Sequence, residues 1–395
     1  MSSYFNNIKK SFKPKQYINY GVVLLVLLVF TVLNYTVGLS RSMSSLLPQI
    51  AYSIVLAVSL NLVVGLLGEL SLGHAGFMCV GAYLGTFLSN TILSAAPNMP
   101  LPIVLIISML LGGSVAAVFG FLVGLPALRL RGDYLAIVTL AFGEIVRNIF
   151  KNLPAEHFGG AQGLTSIYNK VALDQAKNGA MPLFIPAFIV VLVMLIVVQN
   201  IVRSKHGRAI TAIRDNEIAA RSMGINVTYY KLFAFILAAF FAGVAGVIYG
   251  SSVSPVEYSF FSYNYSIEIL VMVVLGGMGS INGSMIAATL ITYINHLLTA
   301  NFSGDQMSAV KNLIYALILI FMVIYKNAPA LKKYRERFSL ANLLEKFKKR
   351  DASAVDDDSA EWERVPTKIV TDEVLSTDMT LTSYDPDKPD EGGQE

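Results

Sequence analysis

Apolar residues along this chain gather into long unbroken runs instead of alternating with polar ones. A helix crossing a bilayer core of about 30 Å needs roughly 20 such residues. Runs near that length fall at 20–38, 48–67, 76–92, 103–125, 134–150, 183–202, 232–250, 266–277, 284–299 and 310–326. The pattern predicts an all-α polytopic membrane protein of about 8–10 transmembrane helices. The eighth run, from Ser266 to Gly277, is short enough for a re-entrant or broken helix, as is the glycine-interrupted region Gly68–Gly76. Composition agrees, since only 14% of the 395 residues are charged and 54% are hydrophobic, against about 25% charged in an ordinary soluble domain. A soluble fold is excluded.

Charge orients the runs, because short loops rich in Lys and Arg stay cytoplasmic. Lys9, Lys10, Lys13 and Lys15 precede the first run, and Arg129 and Arg131 separate the fourth from the fifth. Arg203, Lys205, Arg208, Arg214, Arg221 and Lys231 fill the connection after the sixth, and Lys332, Lys333, Arg335 and Arg337 follow the tenth. The connections at 93–102, 251–265 and 300–309 hold no Lys or Arg and would face outward. This fits an even number of spans with both termini cytoplasmic. The exception is 151–182, nominally outside, where Lys151, Lys170 and Lys177 are offset by Glu156 and Asp174. The first run is too long for a signal peptide and lacks a cleavage pattern, so it reads as an uncleaved span.

The organisation is then a cytoplasmic segment 1–19, a permeating body 20–326 with a cytoplasmic loop 203–231, and a basic-then-acidic tail 327–395. The last 45 residues hold 14 Asp and Glu against 3 Lys and Arg, so the mild overall +4 conceals a strongly basic body. Such a tail cannot bury enough apolar surface to offset its ordering entropy and is expected to be largely disordered. Nucleic-acid binding is excluded, because the positive charges sit in short clusters between apolar runs. The single cysteine, Cys79, rules out disulfides and a cysteine metal site.

Two kinds of segment carry candidate chemistry. In the loop 203–231, Asp215 or Asn216 can cap a new helical turn, Glu217 suits its positive end, and Gly224 is placed to stop it. Glu217 and Arg221, four apart, support a helix of about two turns. A helix that short is marginal alone and packs against its own membrane body or a partner. Inside the bilayer, ionisable side chains are costly and default to functional candidates; these are Glu69, His74, Asp133, Glu144, Arg147 and Glu268. Glu144 and Arg147 are three apart and can form a structural ion pair. Glu69 and His74 lie in a stretch containing Gly65, Gly68, Gly73 and Gly76, and a second glycine cluster is Gly276, Gly277, Gly279 and Gly283. Each is either a broken helix lining or gating a solute path or a site of close helix packing.

His157 and His296 stand alone, no His, Asp and Glu set has metal-ligand spacing, and no serine nucleophile has a paired base. The chain therefore reads as no enzyme and as binding no cofactor. It also lacks the phosphate-cradling GxxxxGK[ST], so any ATP-driven motor, with its ATP and Mg, lies on other chains. On the residues alone, an autonomous secondary transporter or channel for a small polar solute, with Glu69, His74 or Glu268 carrying protons, stands beside an ATP-driven permease.

The runs NLVVGLLGELSLGHAGFMCVGAYLG at 61–85, LRLRGDYLAIVTLAFGEIVRN at 128–148, GGAQGL at 159–164, GRAITAIRDNEIAARSMGIN at 207–226 and VVLGGMGSINGSMIAA at 273–288 resemble the LivM-type permease of branched-chain amino-acid ABC transporters. The likeness covers roughly residues 20–325 in consistent order. The resemblance implies an importer of a bacterial-type plasma (inner) membrane, with a LivH-type second permease, two cytoplasmic ABC ATPase subunits and an extracytoplasmic amino-acid-binding protein. It implies a coupling loop running from Arg208 through Arg214, Asp215, Glu217, Ala219, Ala220 and Arg221 to Gly224 and Asn226. Ile218 separates Glu217 from the two alanines, and Gly224 lies seven residues after Glu217 where the broader importer motif has six. The role of the loop is thereby better matched than the register of its single residues.

Overall fold

The computed structural model describes residues 18–36, 41–127, 133–176, 182–301, 313 and 317, all within the first of two units, Met1–Ile324. Arg129, Arg131, the acidic tail and nearly all of the tenth apolar run lie outside the described residues, as does the side chain of Asp133. Among the described residues there is no strand, and one isolated antiparallel bridge joins Leu164 to Val256.

The helices are α1 (Ile18–Thr36), α2 (Arg41–Asn61), α3 (His74–Ala95), α4 (Leu101–Ala127), α5 (Asp133–Asn152), α6 (Ala155–Phe158), α7 (Ile167–Ala176), α8 (Phe184–Arg203), α9 (Lys205–Asp215), α10 (Glu217–Ser222), α11 (Val227–Ser252), α12 (Tyr263–Gly276) and α13 (Ile281–Asn301). The first nine apolar runs each coincide with a helix. Five helices, Ser42–Leu67, His74–Ala95, Leu101–Ala127, Phe184–Arg203 and Val227–Ser252, are long and apolar enough to cross a membrane, with shorter apolar stretches at Val23–Asn34 and Tyr263–Gly276. The connection 151–182, read from sequence as a loop, contains the short helices α6 and α7.

Helix α11 lies at the centre, packed against α2, α3 and α4. Lipid tails are as apolar as leucine, so helices in a membrane gain by close packing through small residues. The α3–α11 contact shows this directly. A Cβ on Gly81 would collide with the backbone of Gly243, and one on Gly246 with the carbonyl oxygen of Met78. The spacing of Gly81 and Gly85 on α3, and of Gly246 and Gly250 on α11, keeps both contact rows on one face.

The break expected at Gly68–Gly76 is present. Helix α2 ends in a π-helical segment, Leu62–Leu67, closed by Gly68 at φ 82°. Residues 68–73 are non-helical before α3 begins. Backbone polar groups at bilayer depth must be satisfied within the protein, and here neighbouring helices do so. The Leu72 amide donates to Thr139 Oγ1 of α5 at 3.0 Å, and the Ala75 amide to Ser266 Oγ of α12 at 3.2 Å. The second glycine cluster forms the turn between α12 and α13, with Gly277 at φ 94° and Gly279 at φ 84°. The Gly279 amide donates to Asn61 Oδ1 at 2.8 Å, fastening this turn to the π segment.

Replacing Gly246 with Val should lower unfolding free energy in mild detergent by about 1–3 kcal/mol, the usual cost of overpacking. Gly21, which has nothing within 4 Å of its Cβ position, serves as the control: Gly21→Ala should leave thermal stability unchanged or raised.

Candidate functional site

Helices α9 and α10 form a two-part unit between the long helices α8 and α11, built from three polar caps. Ser204 Oγ accepts from the amides of His206 and Gly207 at 3.1 and 3.4 Å, starting α9. Asn216 breaks the chain into extended geometry and its Oδ1 accepts from the Ala219 amide at 3.0 Å, starting α10. Asn226 does the same for α11 through the Tyr229 amide at 3.1 Å. Of the two caps weighed from sequence, Asn216 serves and Asp215 is the exposed last residue of α9. Gly224 adopts φ 79° two residues beyond α10, the left-handed geometry that ends helices.

The unit has an anchored face and a free one. Ala209, Ile210, Ile213 and Ala220 are buried, whereas Ile218 and Met223 are 76% and 82% exposed. Ala219 is exposed beside them, and Arg208 is exposed with its guanidinium turned back to the Arg203 carbonyl at 3.3 Å.

Charged side chains clamp the unit to the helix break. Lys231 Nζ, in the first turns of α11, donates to Glu69 Oε1 at 2.6 Å and to Glu217 Oε2 at 3.1 Å. The other oxygen of Glu217 accepts from Arg221 Nη2 at 2.8 Å. The side chains of Lys231 and Glu69 are 6% and 15% exposed. Withdrawing an ammonium from water costs several kcal/mol, recovered only with good geometry and further hydrogen bonds; two carboxylates supply both. The four charges balance. Above them, Arg214 Nη1 donates to the Gly65 carbonyl at 2.7 Å, taking up a π-segment oxygen that lies beside Gly279. A Cβ on Gly65 would collide with Asn61 Oδ1 and the Gly279 amide, so residue 65 admits only glycine without rearrangement.

The remaining sequence-selected residues divide. His74 is buried, its Nε2 within 3.1 Å of Ser59 Oγ. Gly73 and Gly76 pack on α5, where their Cβ positions fall 2.6 Å from Thr139 O and 2.7 Å from Gly143 Cα. Gly276 packs equally closely on Gly283 across the α12–α13 turn. Glu268 bonds Asn295 on α13. Glu144 and Arg147 pair at 2.8 Å on α5, apart from the clamp. Sequence reasoning connected Glu217 with Arg221 but missed Lys231, Asn61 and the reach of Arg214. One signal was available for Lys231: it is the only charged residue in Val227–Ser252.

The clamp is testable as a unit. Glu69→Gln and Lys231→Met should each destabilise the detergent-solubilised protein, while the double variant loses less than their sum. A double-mutant cycle by denaturation should return a coupling of about 1–3 kcal/mol; additive losses would contradict the shared charge.

Residues 42–323 match the family described as branched-chain amino acid transport system / permease component. The High-affinity branched-chain amino acid transport system permease protein LivM of Escherichia coli (strain K12) is 34% identical over 312 residues, covering 73% of this chain and 70% of that protein. LivM of Salmonella typhimurium is 33% identical over 341 residues, covering 80% of this chain and 76% of its own. The permease protein LivH of Escherichia coli (strain K12) is 23% identical over 280 residues, covering 68% and 88%. No solved structure matches the chain. With its apolar spanning helices and a match over most of its length, the chain is a multi-pass membrane protein and belongs to the branched-chain amino acid transport system permease family.

Proposed function

We propose that this chain is the permease subunit of an ATP-driven ABC importer for branched-chain or closely related amino acids. It forms the translocation path with a second, LivH-type permease. Two ABC ATPase subunits carry ATP and Mg, and an extracytoplasmic binding protein delivers the amino acid. The names of the relatives support the substrate class and the permease pair. One observation carries the link to the motor: α9 and α10 are fastened on one side to the helix break and present Ile218 and Met223 to solvent on the other.

An exposed apolar tip on an otherwise polar loop is what a groove on a cytoplasmic partner would accept. When the ATPases close on ATP, a rigid α9–α10 unit moves with them. Arg214 and Glu217 then carry the displacement to Gly65 and, through Lys231, to Glu69. Asn61 passes it to the turn at Gly279. Energetic coupling requires two discrete arrangements that both sites bias, and the break between α2 and α3 is an element able to take two. The paired state of Glu69 with Lys231 gives the carboxylate a positioning role in this scheme in place of proton carriage.

Purification of the tagged chain from its native membrane in mild detergent should bring down two ATPases and a second permease. The variant Ile218→Glu with Met223→Glu, altering only exposed side chains, should lose the ATPases and keep the permease. A chain that emerges alone and takes up solute in proteoliposomes on an ion gradient would support an autonomous carrier instead. In the assembled importer, Glu69→Gln should retain ATP hydrolysis while uptake per ATP falls by about 5- to 150-fold, the range of an ordinary coupling free energy.

A further inference from the structure

Helix α5 runs alongside α3 through the membrane body. Gly76 meets Gly143, and Tyr83 stacks on Phe150 with ring centroids 4.5 Å apart. The α5 residues between these contacts therefore lie level with the span His74–Ala95. The outward face of α5 carries two kinds of side chain. Tyr134, Ile137, Ala141, Ile145 and Ile149 are exposed along it, and from the middle of the helix onward Glu144, Asn148 and Asn152 form an adjoining polar row spaced four apart.

Arg147 stands beside that row. Its Nη2 donates to Glu144 Oε2 at 2.8 Å, and both side chains remain 26% exposed. Glu144 Oε1 also accepts from the Tyr263 amide at 3.1 Å, which fixes the carboxylate. The Nε of Arg147 is buried without a partner among the described residues, so the guanidinium has donor capacity left. The amides of Asn148 and Asn152 donate back to the carbonyls of Glu144 and Asn148, each at 2.8 Å.

Short of their last turns, α1 and α8 show no such polar row on their outward faces. Helix α1 exposes Leu24, Leu25, Leu28 and Leu33, and α8 exposes Ile189, Val193 and Ile196, as lipid contact requires. Exposed charge at this depth is tolerated where it faces protein or a water-filled cavity, and such residues mark solute pathways. Among the described residues, the other ion pairs gather at the Lys231 clamp.

We propose that the Glu144–Asn148–Asn152 face of α5 lines the aqueous solute path, and that Glu144 and Arg147 exchange their mutual pairing for the ammonium and carboxylate of a passing zwitterionic α-amino acid. This rests on the importer reading and assigns the place in this chain where the amino acid is held. An ion pair is suited to such a substrate. Its two charges match the two ends of the solute, and an empty site keeps both compensated.

The test uses the complete importer in lipid nanodiscs, with the label read on this chain, whose only native cysteine, Cys79, is buried. Asn148→Cys should react with a charged, membrane-impermeant thiol reagent at least about tenfold faster than Val193→Cys on the apolar face of α8, because only the thiolate reacts and apolar surroundings suppress it. Leucine with the binding protein should slow that reaction. Glu144→Gln should raise the KM for leucine uptake about tenfold or more, the loss of one hydrogen bond to a charged group, with ATPase co-purification unchanged. Asn152→Cys repeats the measurement should Asn148→Cys fail to assemble. A thiol at either position as slow as Val193→Cys would show that the face meets lipid or another chain, and would overturn the proposal. Fast labelling with no effect of leucine and an unchanged KM would overturn the substrate contact. A wild-type importer without ATP-driven leucine uptake would refute the importer reading separately, since thiol reactivity still reports whether the face is wet.

Discussion

A chain that interrupts a helix inside a membrane leaves peptide groups that water cannot reach, and every one of them must find a partner in the protein. The interruption between α2 and α3 meets this demand by borrowing from distant segments. Thr139 and Ser266 take the amides at its far end, and Arg214 takes the Gly65 carbonyl at its near end. The consequence is topological. The loop helices, α5 and α12 are each bound to the break because the break requires them, so a displacement of any one is felt there. Lys231 adds a charged restraint at the same place, joining Glu69 within the break to Glu217 on the loop. Removing one partner of such a group leaves an uncompensated buried charge, which costs more than the pair contributes. The joint is therefore held closely without being sealed by apolar packing.

The rest of the body is assembled on the opposite principle. Helices α3, α4 and α11 meet through glycines and alanines so close that backbones touch, giving a contact that resists sliding. Polar groups are few within it. Beside this dense centre, the π segment, the non-helical stretch 68–73 and the Gly277–Gly279 turn depart from regular helix geometry. Irregular elements of that kind are often functional. Here they lie together and next to the loop helices, which gives a packed body a region able to rearrange.

Much of this was legible in the linear pattern. Apolar run length located nine helices, and the glycine-rich stretch before His74 correctly foretold a break. The helical turn after Asn216 followed from capping chemistry, and the spacing of Glu217 and Arg221 anticipated their contact. These succeed because each depends on neighbours within a turn or two, where backbone geometry is set by local propensity. The glycines Gly73 and Gly76 were ambiguous for the same reason: a gate and a tight contact ask for the same small residue, and the sequence did not show that their close neighbours are Thr139 and Gly143.

The sequence by itself determined the membrane class of the fold, the existence of the break and the capped loop helix, because run length, glycine placement and polar caps act locally. Tertiary structure alone decided that Lys231 joins Glu69 to Glu217, that Arg214 reaches Gly65 and that Asn61 holds Gly279, pairs separated by 162, 149 and 218 positions. No periodicity encodes partners so far apart. Which buried charge meets which carboxylate depends on how whole helices pack, and that packing is chosen by shape and by the cost of an unsatisfied polar group in a medium without water.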